Sequence, residues 1–267
     1  MINVNDIYMY LKSIAPEEMA LETDNVGFLV GTEKTNVSKI LVSLDITDDV
    51  ITEALQIGAE LIVAHHPVFF SLSSVTDADI TGKKVVRMLA GGISAICMHT
   101  NLDAARGGVN DELAKVAGIA DDNKSAAPLS DKVRLECGEA VSFGRVGYLK
   151  EACSMSDYLK MIKDSLDANG LRYYDAGRPV HKVAIASGSG SSEWNNAINS
   201  GCDTFVTAEI KYNIFLEAKE LGINIIDGGH FCTENVITKK LVKKLNVEFP
   251  SAEAVESKVL DQTVCFC

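Results

Sequence analysis

The chain has 267 residues, 47% hydrophobic and 23% charged, a globular composition with length for one large or two medium cores. Its formal net charge of −12 argues against sequence-independent binding to nucleic acid or to an anionic membrane surface, since both need a basic face, and leaves room for a local basic pocket that holds a phosphorylated small molecule. No apolar run can span a bilayer, no signal peptide pattern opens the sequence, and seven scattered cysteines without a C-x-x-C pair fit reduced thiols, so a cytoplasmic location is expected.

Lys39 to Asp45 is apolar and β-branched and predicts a strand. Thr47 then reads as an N-cap, with Asp48 and Asp49 in the first turn of a helix that ends near Gly58. Glu60 to Ala64 predicts the next strand, Gly82 to Ala90 a helix, and Ile93 to Met98 a third strand. This alternation is βαβ grammar and implies a largely parallel sheet covered by helices. The polar, small-residue stretch Asp121 to Asp131 reads as a linker between lobes 1–126 and 127–267. Beyond it, Lys132 to Cys137 and Val141 to Leu149 predict an antiparallel pair, and Ser156 to Ala168 predicts a helix. The βαβ pattern resumes at Lys182 to Ser187.

The second half echoes the first. Strand, loop, helix, glycine and strand describe Leu41 to His65 and again Val183 to Ala208. A second echo starts at Gly92 and Gly222, each followed by a short strand, a histidine (His99, His230) and an acid (Asp103, Glu234). The expected class is α/β, with two similar lobes, each a mostly parallel or mixed sheet covered by helices. Their polar strand ends would face a shared cleft.

His65 and His66 close the apolar run Glu60-Leu-Ile-Val-Ala64, at the strand end where α/β proteins place ligand chemistry. His99 and Asp103 follow another predicted strand, and His230 and Glu234 follow a third. His230 and Glu234 are four apart, so a helix starting there turns both to one face. Consecutive residues of an extended backbone point to opposite sides, and Pro67 keeps His66 extended. The pair therefore suits two ions about 3.5–4 Å apart better than one, with Asp103 and Glu234 as bridging candidates. Imidazoles and carboxylates without thiolate suit Zn, Mn, Fe, Co or Ni. A strand-end histidine taken alone, or an acid in a turn, is commonly structural; the coincidence of five at strand ends favours metal. His99 and Glu209 are candidates for supporting or proton-transfer roles, and His181 reads as structural. Ser187-Gly-Ser-Gly-Ser-Ser192 offers either an anion cradle of backbone N–H groups or a plain glycine-rich connection.

Six segments together resemble a known family: Asp24-Asn-Val-Gly-Phe-Leu-Val-Gly31, Ala64-His-His-Pro-Val-Phe69, His99-Thr-Asn-Leu-Asp-Ala104, Gly107-Gly-Val-Asn-Asp111, Ser187-Gly-Ser-Gly190 and Asp227-Gly-Gly-His-Phe-Cys-Thr-Glu234. That family is the NIF-three-like proteins, often described as GTP cyclohydrolase type 2 homologues. The resemblance implies two α/β lobes, a dinuclear centre of two divalent metal ions, and ligand positions at His65, His66, Asp103, His230 and Glu234. It also implies self-association into a toroidal homohexamer. Thr23, Arg106 and Asn213 stand where the family often has tryptophan, proline and histidine. The functional expectation is a metal-dependent hydrolase of a nucleotide or other phosphorylated small molecule. The rivals are a metal-binding regulatory or interaction protein without turnover and, less favoured, a phosphodiesterase or phosphatase.

Overall fold

The computed structural model describes residues 2–121, 124–130, 133–134, 140–260 and 262–267. Helix α1 (Val4–Ile14) opens the chain, capped by Asn3, whose side chain accepts from the Asp6 N–H while Asp6 returns to the Asn3 N–H. Strands β1 (Gly27–Val30) and β2 (Lys39–Ser43) follow, then α2 (Asp48–Ile57), β3 (Leu61–Ala64), α3 (Ile80–Ala90), β4 (Ser94–Cys97), α4 (Thr100–Ala104) and α5 (Val109–Val116). Short strands β5 (Ala127–Pro128), β6 (Val133–Arg134) and β7 (Ala140–Val141) lead to the long β8 (Arg145–Cys153). Then come α6 (Met155–Ser165), β9 (Arg172–Tyr174), β10 (Val180–Ile185), α7 (Trp194–Asn199), β11 (Thr204–Thr207), α8 (Tyr212–Leu221) and β12 (Asn224–Asp227). The chain closes with α9 (His230–Glu234), α10 (Thr238–Glu248) and β13 (Glu253–Glu256).

Two compact units result, Met1–Leu102 with Ile237–Asp261, and Asp103–Val236 with Gln262–Cys267. The first is built on a sheet in the order β1-β4-β3-β2-β13. Strands β13, β2, β3 and β4 pair in parallel, and β1 runs antiparallel beside β4. The second has the order β5-β8-β10-β11-β12-β9, parallel from β10 to β12 and antiparallel at β8 and β9. The first sheet therefore has four parallel strands in a row and the second has three, and the runs β2-β3-β4 and β10-β11-β12 are the segments that echo each other in the sequence. The central parallel strands β3, β4, β11 and β12 show no exposed residue, whereas β10 and β13 each expose one, His181 and Glu253.

The unit boundaries differ from the expected 1–126 and 127–267. The end of the chain returns to the first unit because β13 finds its parallel partner in β2. The expected linker is not one in its described part. Asp121 and Lys124 exchange backbone hydrogen bonds, and Ala127–Pro128 forms an edge strand on β8, where proline's missing donor is tolerated. Residues 122–123 and 131 lie outside the described residues. Of the predicted antiparallel pair, Val133–Arg134 joins Ala140–Val141, while 132 and 135–137 lie outside the described residues. Strand β8 instead pairs with β5 and β10. Among the described residues no helix is long and apolar enough to cross a membrane.

Local capping follows the sequence signals. Thr47 Oγ1 accepts from the Val50 N–H at 3.1 Å, and Gly58 ends α2 in the left-handed conformation at φ 70°. Replacing Thr47 by alanine should cost about 1 kcal/mol of stability in chemical denaturation; unchanged stability would show that this cap contributes nothing.

At the other end of the sheet, Glu60 accepts from the Ser38 N–H at 3.1 Å, the Ser38 hydroxyl at 2.8 Å and the Lys39 N–H at 3.0 Å. Burial pushes its carboxyl up, but these donors outweigh burial and hold it below the usual carboxylate range. The stabilisation is complete above the unfolded-state carboxylate value and is lost as pH falls through the lowered folded-state value. Glu60→Gln should therefore be less stable than wild type near neutral pH, with the gap narrowing on acidification. Urea unfolding from about pH 7 to about pH 3 measures this, and a gap independent of pH would contradict it.

Candidate metal centre

In the first unit, β3 ends at Ala64 and delivers His65 and His66 immediately beyond it. Their backbones stay tied to the neighbouring strand, with the His65 N–H donating to Ser43 O and the His66 N–H to Leu44 O. Each ring is then anchored through Nδ1. His65 Nδ1 meets Met98 O at 2.7 Å, so this nitrogen carries a proton, and in the neutral ring the lone pair is then on Nε2. His66 Nδ1 lies 2.7 Å from Asp45 Oδ1, and His99 Nδ1 lies 2.8 and 2.9 Å from the two Asp24 oxygens. The three ring centroids are 5.0, 5.3 and 5.5 Å apart, and one nitrogen from each ring lies within 4.8 Å of the others. A carbonyl or carboxylate behind each imidazole fixes tautomer and orientation, as it does for metal-bound histidines.

Asp24 is held as firmly as the ring it supports. Its carboxylate also accepts from the Thr100 N–H at 3.1 Å and from the Thr100 hydroxyl. Burial pushes its carboxyl up, but hydrogen bonds from His99 and Thr100, with the charge of His99, hold it well below the usual carboxylate range. Asp24 is therefore an anion set directly behind the His99 ring.

In the second unit, Gly229, at φ 84°, turns the chain into α9, whose first and last residues are His230 and Glu234. His230 Nε2 lies 3.0 Å from Glu234 Oε2, the shared face that the four-residue spacing predicts. His230 Nδ1 lies 2.7 Å from Glu209 Oε1. Glu209 holds φ +52°, a left-handed conformation that costs a non-glycine residue roughly 1–2 kcal/mol, and strain of this kind collects at functional positions. Asp103, on α4, has a carboxylate oxygen 3.3 Å from the Ser187 hydroxyl. It is 8% exposed and Glu234 is 3% exposed, with a ligand oxygen of each within 4.8 Å of the other. Two carboxylates buried at that separation repel, and a divalent cation is a natural counter-charge. The donor set therefore fits a hard or borderline metal.

The expected residues group as follows. His65 and His66 converge, joined by His99, and His230 and Glu234 converge with Asp103 nearby. The premise of diverging histidines does not apply, because the strand stops at Ala64 and the alternation of an extended strand stops with it. Glu209, a candidate for a supporting or proton-transfer role, lies against His230 Nδ1. His181 is exposed and sits against Tyr148, with ring centroids 5.3 Å apart. The Ser187–Ser192 loop is not an open anion cradle, since three of its N–H groups are committed. Ser187 N–H donates to Asn110 Oδ1, Gly188 N–H to Thr233 Oγ1, and Gly190 N–H to Gly188 O. Sequence reasoning missed the roles of Asp24 and Asp45. Asp45 was visible as the last residue of the predicted strand Lys39 to Asp45, and Asp24 as the first acid of a motif read as a turn and strand.

The molecule has known relatives. A protein of Clostridium perfringens described as a GTP cyclohydrolase 1 type 2 homolog is 35% identical over 260 residues, covering 96% of this chain and 97% of its own. A NIF3 homolog of Schizosaccharomyces pombe is 30% identical over 265 residues, covering 93% and 92%. The crystal structure of a Bacillus cereus protein related to NIF3 superposes with a TM-score of 0.87 at 23% identity, covering 100% of this chain and 99% of that one. The profile of the Duf34/NIF3 family (NGG1p interacting factor 3) matches residues 2–264, and the chain belongs to that family.

Proposed function

We propose that this protein is a metal-dependent hydrolase of the GTP cyclohydrolase type 2 kind, acting on a nucleotide or another phosphorylated small molecule. The observation that carries the reading is the set of anchored imidazoles: His65, His66 and His99 each have Nδ1 held by a carbonyl or carboxylate. His65, His66, Asp103, His230 and Glu234 would hold two divalent ions. Bound ions of this kind acidify water to near-neutral pKa and polarise the attacked bond. The rest is work for the chain itself. Asp45, Glu209 and Met98 O keep the rings oriented. His99, backed by the Asp24 carboxylate, can accept and return a proton at Nε2. The names of the relatives support the choice of a purine nucleotide as first substrate to test.

Elemental analysis of protein purified without added metal, followed by a hydrolysis screen over nucleotides, phosphoesters and cyclic amides, tests this reading. His65→Ala and Asp103→Ala should each lose metal loading and turnover together; full turnover by metal-free His65→Ala protein would overturn it. Asp24→Asn, which removes the charge behind His99, should lower turnover by roughly 10- to 100-fold while the fold persists by circular dichroism. Wild-type turnover in that variant would remove Asp24 from the machinery. The homohexamer is part of the same proposal, and light scattering of the purified chain measures it.

A second reading, a metal-binding regulatory protein without turnover, draws on the family description, which names an interaction rather than a reaction. Metal-loaded protein that is silent across the whole screen yet binds a protein partner reproducibly would establish it.

A further inference from the structure

Three side chains outside the candidate ligand set, those of Asn110, Ser187 and Thr233, join Asp103 to the α9 ligands. Asn110, fully buried on α5, uses both ends of its amide: Nδ2 donates to Asp103 O at 3.1 Å, and Oδ1 accepts from the Ser187 N–H at 2.9 Å. Ser187 completes a small ring by placing its hydroxyl 3.3 Å from Asp103 Oδ1. The next N–H, that of Gly188, donates to Thr233 Oγ1 at 3.0 Å, and the same hydroxyl bonds Gly229 O at 2.9 Å and His230 O at 3.0 Å in the turn that opens α9. One continuous hydrogen-bonded path therefore runs from the Asp103 backbone through Asn110 and residues 187–188 to the helix bearing His230 and Glu234.

Gly188 is the closest point of that path. Its φ is +55°, and a Cβ built there would fall on the Glu234 carboxylate and come within 3.2 Å of His230 Nε2. Any side chain would drive Glu234 from its position and press on His230, and Glu234 is nearly buried with little room to retreat. Left-handed backbone alone does not explain this glycine. Gly201, also in the second unit, has φ +68° with nothing within 4 Å of its Cβ position.

We propose that Asn110 and Gly188 are positioning residues of the metal centre: Asn110 ties Asp103 to the Ser187–Gly188 turn, and the absent side chain of Gly188 admits the Glu234 carboxylate and His230 beside it. The proposal rests on the metal-binding reading above. It assigns the glycine-serine loop a job other than holding phosphate, namely to set the separation of ligands from two different helices.

Titration with Co2+ alone, followed by its visible ligand-field bands, tests the assignment without reference to turnover. Wild type, Gly188→Ala, Gly201→Ala and Asn110→Asp are compared, with folding checked by circular dichroism. Gly188→Ala and Asn110→Asp should bind Co2+ about 10- to 100-fold more weakly, with shifted bands. Gly201→Ala bears the same kind of backbone strain and should bind as wild type does, with the same spectrum. Asn110→Asp keeps the acceptor for Ser187, loses the donor to Asp103 and adds a buried carboxyl group, and it carries the test if Gly188→Ala does not fold. Folded Gly188→Ala or Asn110→Asp protein with wild-type affinity and spectrum would overturn the positioning role and leave the metal reading intact. Wild-type protein that takes up no Co2+ would overturn both.

Discussion

Parallel pairing is the constraint on which this structure depends. Parallel strands buried on both faces must end at one common edge, and their following loops must emerge there. In the first unit, that edge carries Asp45 after β2, His65 and His66 after β3, and His99 after β4. In the second it carries Ser187 and Gly188 after β10, Glu209 after β11, and His230 after β12. Three adjacent strand ends in each unit supply ligand candidates or the groups that orient them. The two units even share a division of labour, since an acid from one strand end anchors the histidine of the next: Asp45 to His66, and Glu209 to His230.

This arrangement concentrates the polar cost of folding in a few places. Asp24, Asp103 and Glu234 have nearly buried carboxylates, and the chain surrounds Asp24 with donors from His99 and Thr100. Arg145, 2% exposed, gives its guanidinium to Asp111 and to the carbonyls of Ser142, Gly144, Ala104 and Ala105, bracing the turn between α4 and α5 beside Asp103. Rigid support of this density is what a preorganised centre needs, because loosely held ligands lose affinity to conformational freedom. Glu209 shows the same priority from the other side, as an acid kept in a strained backbone conformation where its carboxylate reaches His230.

Where the sequence reading and the structure part, the reason is long-range pairing. The stretch around Ala127–Pro128 has the composition of a linker, yet it forms an edge strand because β8 offers it a partner. The return of Glu253–Glu256 to β2 is invisible to local periodicity, since nothing in four residues says which of two sheets they will join. The serine-glycine loop looks like an anion cradle because its composition is that of one, yet the N–H groups of Ser187 and Gly188 are taken by Asn110 and Thr233, residues distant in sequence. Asp24 escaped notice as a functional acid for the same reason, its partner His99 lying on another strand end.

By itself the sequence determined the βαβ alternation, the helix caps at Thr47 and Gly58, the internal echo and the five residues at strand ends, because periodicity, capping and spacing act over a few neighbouring residues. Tertiary structure decided which nitrogen of each imidazole is anchored, which acids stand behind them, and why position 188 has no side chain. Those depend on hydrogen bonds and close approaches between segments up to 84 residues apart, such as Ser187 with Asp103, and only the folded sheet edge brings such segments within reach.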